Sequence, residues 1–145
     1  MRNEGFTFVE LIVVLAILAG LAALVAPSFS RTILSARLRT SASDVRSTFA
    51  RARSLADASA RERDVTFDLS RGEFGVDNEA VHSLPESIRL GAVLRGEERQ
   101  ERGSVRVRFF SDGTGEEAEI SVTAQDGGTL RVTVDPLTGL SEAGT

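Results

Sequence analysis

The 145-residue chain has no cysteine, so a disulfide, a CxxC redox motif and a thiolate metal site are all excluded. It also has no lysine: all seventeen basic residues are arginine, a bias of composition rather than the mark of a ligand. There is a single histidine, His82, and nothing in the sequence supplies the oriented nucleophile or carboxylate that catalysis by it would need. Net charge is only −4, no low-complexity tract stands out, and no repeat of solenoid period is visible. At this length the chain accommodates one small domain beside any terminal segment, with a modest core.

Charge is also missing from the sixteen residues Leu11 to Ala26, while one carboxylate, Glu10, stands at the mouth of that run. An apolar stretch of this length is the mark of a membrane span, whose hydrocarbon core asks for roughly 20 mostly apolar residues. An acid at the centre of such a helix costs on the order of 2.5–3.5 kcal/mol, less near its end, and generally has a partner or a function. A secretory signal fits poorly: Arg2 is offset by Glu4, Glu10 interrupts the approach to the core, and Pro27 follows the best small-residue cut candidate, Ala26. A plain anchor from Phe6 to Phe29 fits the length and leaves Glu10 unexplained. A short leader, Met1 to Glu4, ending at Gly5 is the third possibility.

The segment Gly5-Phe6-Thr7-Phe8-Val9-Glu10-Leu11-Ile12-Val13-Val14 resembles the class III signal of type IV pilins and type II secretion pseudopilins. It departs from that pattern in Phe8, where leucine is commoner, and in a short leader without net charge. The resemblance implies that a prepilin peptidase cuts between Gly5 and Phe6 and methylates the new Phe6 amine. It further implies that Glu10 faces the Phe6 amine of a neighbouring subunit and sets the register of assembly. An ion pair in a low-dielectric bundle offsets a burial unfavourable for either charge alone.

Beyond Pro27 the apolar residues Ile33, Leu34, Leu38, Ala42, Val45, Phe49, Ala52 and Ala56 recur at steps of three and four, predicting an amphipathic helix to about Ala60. Pro27 removes a backbone donor, so a kink or local unwinding is expected there. The period then switches to two. Val65–Leu69 and Glu73–Val76 around Ser70-Arg71-Gly72 predict a hairpin, and Ile88–Val93, Val105–Phe110, Ala118–Val122 and Leu130–Val134 predict further strands. The polar stretch Leu94 to Gly103 is expected to be a mobile loop. The predicted fold is α+β and pilin-like: a leader at 1–5, a transmembrane and assembly helix at 6–29, its amphipathic continuation at 30–60, and a β-rich domain of antiparallel sheet at 61–145.

A second resemblance lies in Phe109-Phe110-Ser111-Asp112-Gly113-Thr114-Gly115, then Gly127-Gly128, then Leu137-Thr138-Gly139-Leu140. Their order is similar to the C-terminal pattern of the minor pseudopilin family GspH and its relative FimT. It implies a non-enzymatic subunit of a type II secretion pseudopilus, single-pass in the bacterial inner membrane with a periplasmic C-terminal domain. Implied partners are other pseudopilins, the prepilin peptidase and the inner-membrane secretion platform. The alternative is a FimT-like type IV pilus subunit for DNA uptake, with Arg89, Arg95, Arg99, Arg102, Arg106 and Arg108 as a phosphate-binding surface. Acidic residues interleave that row, which favours a mixed surface.

Other candidates read as structure. Asp112 to Glu117 lacks EF-hand spacing and is expected to be a solvated turn. His82 is expected on a surface loop. Glu97, Glu98, Glu101, Glu116, Glu117 and Glu119 alternate with arginine as a solvated face. No catalytic residue, metal site or cofactor is expected.

Overall fold

The computed structural model describes residues 7–96 and 98–144; the side chains of 23–30 also lie outside the described residues. The chain divides into two compact units, residues 1–34 and 35–145. A single helix, α1 (Phe8–Ser59), contributes to both.

In the first unit α1 begins at a local cap. The Glu10 amide donates to the Thr7 hydroxyl at 3.3 Å, and the Leu11 amide donates to the Thr7 carbonyl at 3.2 Å. Thr-x-x-Glu is the sequence of a capping box, in which the hydroxyl satisfies an amide that has no intrahelical acceptor. Every described side chain from Thr7 to Ala22 is exposed, including ten large apolar ones from Phe8 to Leu21. Among the described residues no helix is long and apolar enough to cross a membrane. The uncharged run itself continues into 23–30. The helix runs on through Pro27, where the sequence suggested a kink or local unwinding.

The second unit holds the core. Leu38, Ala42, Val45, Phe49, Ala52 and Ala56 form the buried row of α1, as their spacing predicts, whereas Ile33 in the first unit is exposed. The end of α1 is a Schellman motif: the Ala60 amide donates to Asp57 O and the Arg61 amide to Ala56 O, both at 3.2 Å. Ala60 sits at φ +48°, a conformation glycine adopts without strain.

Two antiparallel sheets follow. The first comprises β1 (Arg63–Asp68), β2 (Glu73–Val76), β3 (His82–Ser83) and β6 (Ser104–Phe109) in the order β3-β2-β1-β6. The second comprises β4 (Ile88–Arg95), β5 (Glu98–Gln100), β7 (Ala118–Ala124), β8 (Thr129–Val134) and β9 (Ser141–Gly144) in the order β5-β4-β7-β8-β9. The predicted hairpin is present, with Val65 opposite Val76 and Phe67 opposite Phe74.

Three short strands escape the sequence pattern. The stretch expected to be a mobile loop, Leu94 to Gly103, instead extends β4 and adds β5, because Gly96 at φ +57° lets the chain reverse so that Arg95 pairs with Glu98. His82 lies in β3 opposite Phe74 rather than in a loop; it is exposed, with its ring 5.7 Å from that of Phe74. The tail forms β9 on β8.

Phe49 of α1 joins helix to sheet. Its ring lies 5.6 Å from both Phe67 and Phe109, and Phe67 stacks on Phe74 at 5.8 Å. All four are buried, and each such side chain contributes about 1.5–3 kcal/mol by leaving water. The second sheet meets α1 around Leu38, which approaches Gly128, and along Arg46, which reaches Ser141.

Candidate functional site

Of the residues expected to act in processing and assembly, Gly5 and Phe6 lie outside the described residues, and so does the side chain of Pro27. Glu10 is described: it stands exposed in the first turn of α1, where the positive end of the helix dipole favours a carboxylate. Among the described residues no side chain pairs with its carboxylate. The first turn therefore uses the Glu10 amide locally and leaves the acid without a side-chain partner among the described residues.

The C-terminal turns form a second cluster. Asp112 accepts from the Thr114 hydroxyl at 2.6 Å and the Thr114 amide at 3.0 Å, and these bonds hold its carboxyl below the usual range. Asp135 accepts from the Thr138 amide at 3.0 Å and the Leu137 amide at 2.8 Å, with the same effect. The Gly115 amide donates to Pro136 O at 3.2 Å, so the two turns are tied together. Arg53 of α1 locks the pair: its Nε donates to Gly113 O at 3.0 Å, and its side chain lies against Gly139. Gly139 is at φ +60°, and a Cβ there would run into the Gly113 carbonyl. Of the three segments in that motif order, the turns at 112–115 and 136–139 are thus packed together, while Gly128 lies apart near Leu38; Arg53 is the member that the sequence reading missed. The available signal was the spacing of Arg39, Arg46 and Arg53, seven residues apart on one helix stripe.

The arginine row of the DNA-uptake alternative is largely engaged by carboxylates. Arg108 forks onto Asp64 at 2.8 and 3.2 Å and reaches Glu62 at 3.1 Å; hydrogen bonding to Asp64, then the charges of Asp64 and Glu62, raise its pKa. Arg99 meets Glu101 at 2.8 Å, Arg95 lies 3.7 Å from Glu116, and Arg106 lies 3.9 Å from Asp64. On α1, Arg51 holds Glu79 at 2.8 Å, and that hydrogen bond lowers the Glu79 pKa and raises that of Arg51. Among the described residues no three His, Asp or Glu side chains are grouped to hold a metal ion.

Residues 1–26 match the prokaryotic N-terminal methylation motif. The methylation motif brackets the Gly5-Phe6 junction and Glu10 and ends one residue before Pro27. It marks the chain as pilin-like at its N-terminus, the type of substrate that a prepilin peptidase processes. No curated protein and no solved structure matches the chain. An α+β unit with one helix on antiparallel sheets is consistent with a pilin-like protein.

Proposed function

We propose that this protein is a minor pseudopilin of the GspH type: a non-catalytic subunit, cut between Gly5 and Phe6, methylated on Phe6, and added through its N-terminal helix to a short filament that drives protein export. The observation that carries the pilin-like part of the reading is the methylation motif across residues 1–26, which includes Glu10, its carboxylate unpaired among the described residues; the secretion role rests on the C-terminal motif order alone. The exposed apolar side chains from Phe8 to Leu21 support it, because a contiguous apolar surface of this kind serves a membrane or a partner. In this reading residues 6–29 anchor the chain in the inner membrane, 30–60 continue the helix, and 61–145 lie in the periplasm beside other pseudopilins.

The test is the intact mass and N-terminal peptide of the protein purified from its host. A chain beginning with methylated Phe6 is expected; an uncut chain, or a cut elsewhere, overturns the reading. Replacing Gly5 should abolish the cut.

The FimT-like alternative, a type IV pilus subunit for DNA uptake, has one feature in its favour. Arg39, Arg46 and Arg53 make no ion pair among the described residues. Binding of duplex DNA whose affinity falls steeply with salt would favour it.

A further inference from the structure

We infer that the groove between α1 and the turn leading into β9 is a docking site for an acidic peptide segment of a different subunit, whose carboxylates Arg46 and Arg53 hold. The inference rests on the filament-subunit reading above and adds a contact outside the N-terminal helix.

The groove, about 380 Å³, lies wholly within the second unit. One wall is the α1 stripe Ser43, Ser47, Ala50 and Ser54, whose steps of four, three and four put these exposed side chains on one helix face. Their small size leaves the groove open. The other wall is Gly139-Leu140-Ser141, with Leu140 exposed as an apolar contact.

Arg46 and Arg53 line the same groove. Arg46 Nε donates to Ser141 O at 3.3 Å and Arg53 Nε to Gly113 O at 3.0 Å. A main-chain carbonyl thus orients each guanidinium without cancelling its charge, and among the described residues neither has a carboxylate within ion-pair distance. Their terminal nitrogens remain for an anion, and a guanidinium already fixed at Nε loses less freedom on binding it. No Asp, Glu or His lines the groove. The Ser43 and Ser54 hydroxyls have no hydrogen-bond partner among the described residues. The groove offers donors and positive charge with no counter-charge of its own.

A peptide carboxylate fits this surface better than a nucleic-acid phosphate. The basic site is confined to two arginines, whereas a duplex is held along a track of many phosphate contacts. Leu140 suits an apolar side chain next to the acid. Residues 61–145 hold ten arginines against seventeen acids, a balance that repels a polyanion beyond the groove. Much of this chain's own acid is already engaged: Glu62 and Asp64 by Arg108, Glu79 by Arg51, Glu101 by Arg99, Glu116 by Arg95. A minor subunit, in the reading above, also meets chains other than its own copies. The occupant is therefore a different subunit.

The test uses the full-length chain in its host, with photoreactive p-benzoylphenylalanine in place of Ala50. Irradiation should give an adduct with another pilin-like subunit, and mass spectrometry of the digest should place the link beside an Asp or Glu of that subunit. R46E/R53E should lower the adduct at least tenfold. Ser43→Glu/Ser54→Glu should do the same while keeping both arginine–carbonyl bonds, so that loss of the adduct is separable from loss of the fold. R89E/R102E, an equal charge change outside the groove, should leave it within twofold. Changing the linked acids of the partner to Arg should abolish the adduct with the unaltered groove and restore it with R46E/R53E. Thermal melts of the purified variants verify folding.

No adduct, an adduct with a second copy of this chain or with DNA, a link far from any acid, or an adduct indifferent to charge reversal overturns the inference. So does a charge swap that restores nothing. The N-terminal mass of the same sample separates the two claims. A methylated Phe6 without the adduct removes only this docking site, whereas an uncut N-terminus removes the filament reading.

Discussion

Arg53, in the last two turns of α1, donates through Nε to the carbonyl of Gly113, sixty residues away, at 3.0 Å. That bond ties the helix to both glycine turns at once, since Gly139 packs against the same side chain. Arg53→Ala should cost about 1.5–3 kcal/mol, the range for a hydrogen bond with a charged partner. Urea unfolding measures the loss, and faster amide exchange at Gly113 and Gly139 locates it. Unchanged exchange at both glycines would show that the turns hold without the helix.

Gly139→Ala should be worse than an ordinary left-handed alanine. Its φ of +60° alone costs about 1–2 kcal/mol for an L residue, and the new Cβ must also displace the Gly113 carbonyl. Gly96→Ala is the control, since it sits at φ +57° with open space around the position. The drop in Tm should be clearly larger at 139; equal drops would mean that the turns separate freely.

Ala60→Gly should stabilise the protein. Ala60 holds the left-handed position of the Schellman motif at φ +48°, and glycine removes about 1 kcal/mol of strain there, less its added entropy when unfolded. Chemical denaturation should show a higher midpoint at unchanged slope.

Acid should destabilise the C-terminal turns. The carboxyls of Asp112, Asp135 and Glu79 are held below their usual range by the Thr114 hydroxyl, the Thr138 amide and the Arg51 guanidinium respectively. Unfolded, the same groups titrate near 3.9–4.3. Their contribution is therefore complete above that range and is lost as pH falls through the lower folded values. The Tm of Asp112→Asn/Asp135→Asn should fall less steeply than that of the unaltered chain between pH 6 and about 2.5. Parallel curves would remove these two turns as the source.

Glu10→Val should leave cutting and methylation at Phe6 intact while impairing incorporation into the filament. N-terminal mass and the filament fraction are read together. Normal incorporation of this variant would end the register role proposed for Glu10.

Much of the fold is legible because its signals are local. The row Leu38, Ala42, Val45, Phe49, Ala52 and Ala56 is helical spacing made physical by burial, and the alternation around Gly72 becomes the β1–β2 hairpin in register. What escaped is short or polar. The strand Glu98–Gln100 carries three polar side chains and no apolar alternation, so only its pairing with β4 makes it a strand. The tail Ser141–Gly144 likewise becomes a strand only against β8.

By itself the sequence determined the methylation motif, the Gly5-Phe6-Glu10 arrangement within it, the helix-then-sheet order and the absence of thiol chemistry, because each is written in adjacent residues or in a period of two or 3.6. Only the tertiary structure decided that Arg53 joins the turns at 113 and 139, that Arg51 is neutralised and that Arg46 and Arg53 have no carboxylate partner among the described residues. Charge pairing between residues far apart in the chain is set by which surfaces the folded backbone brings within a few ångströms, and no local spacing encodes that distance.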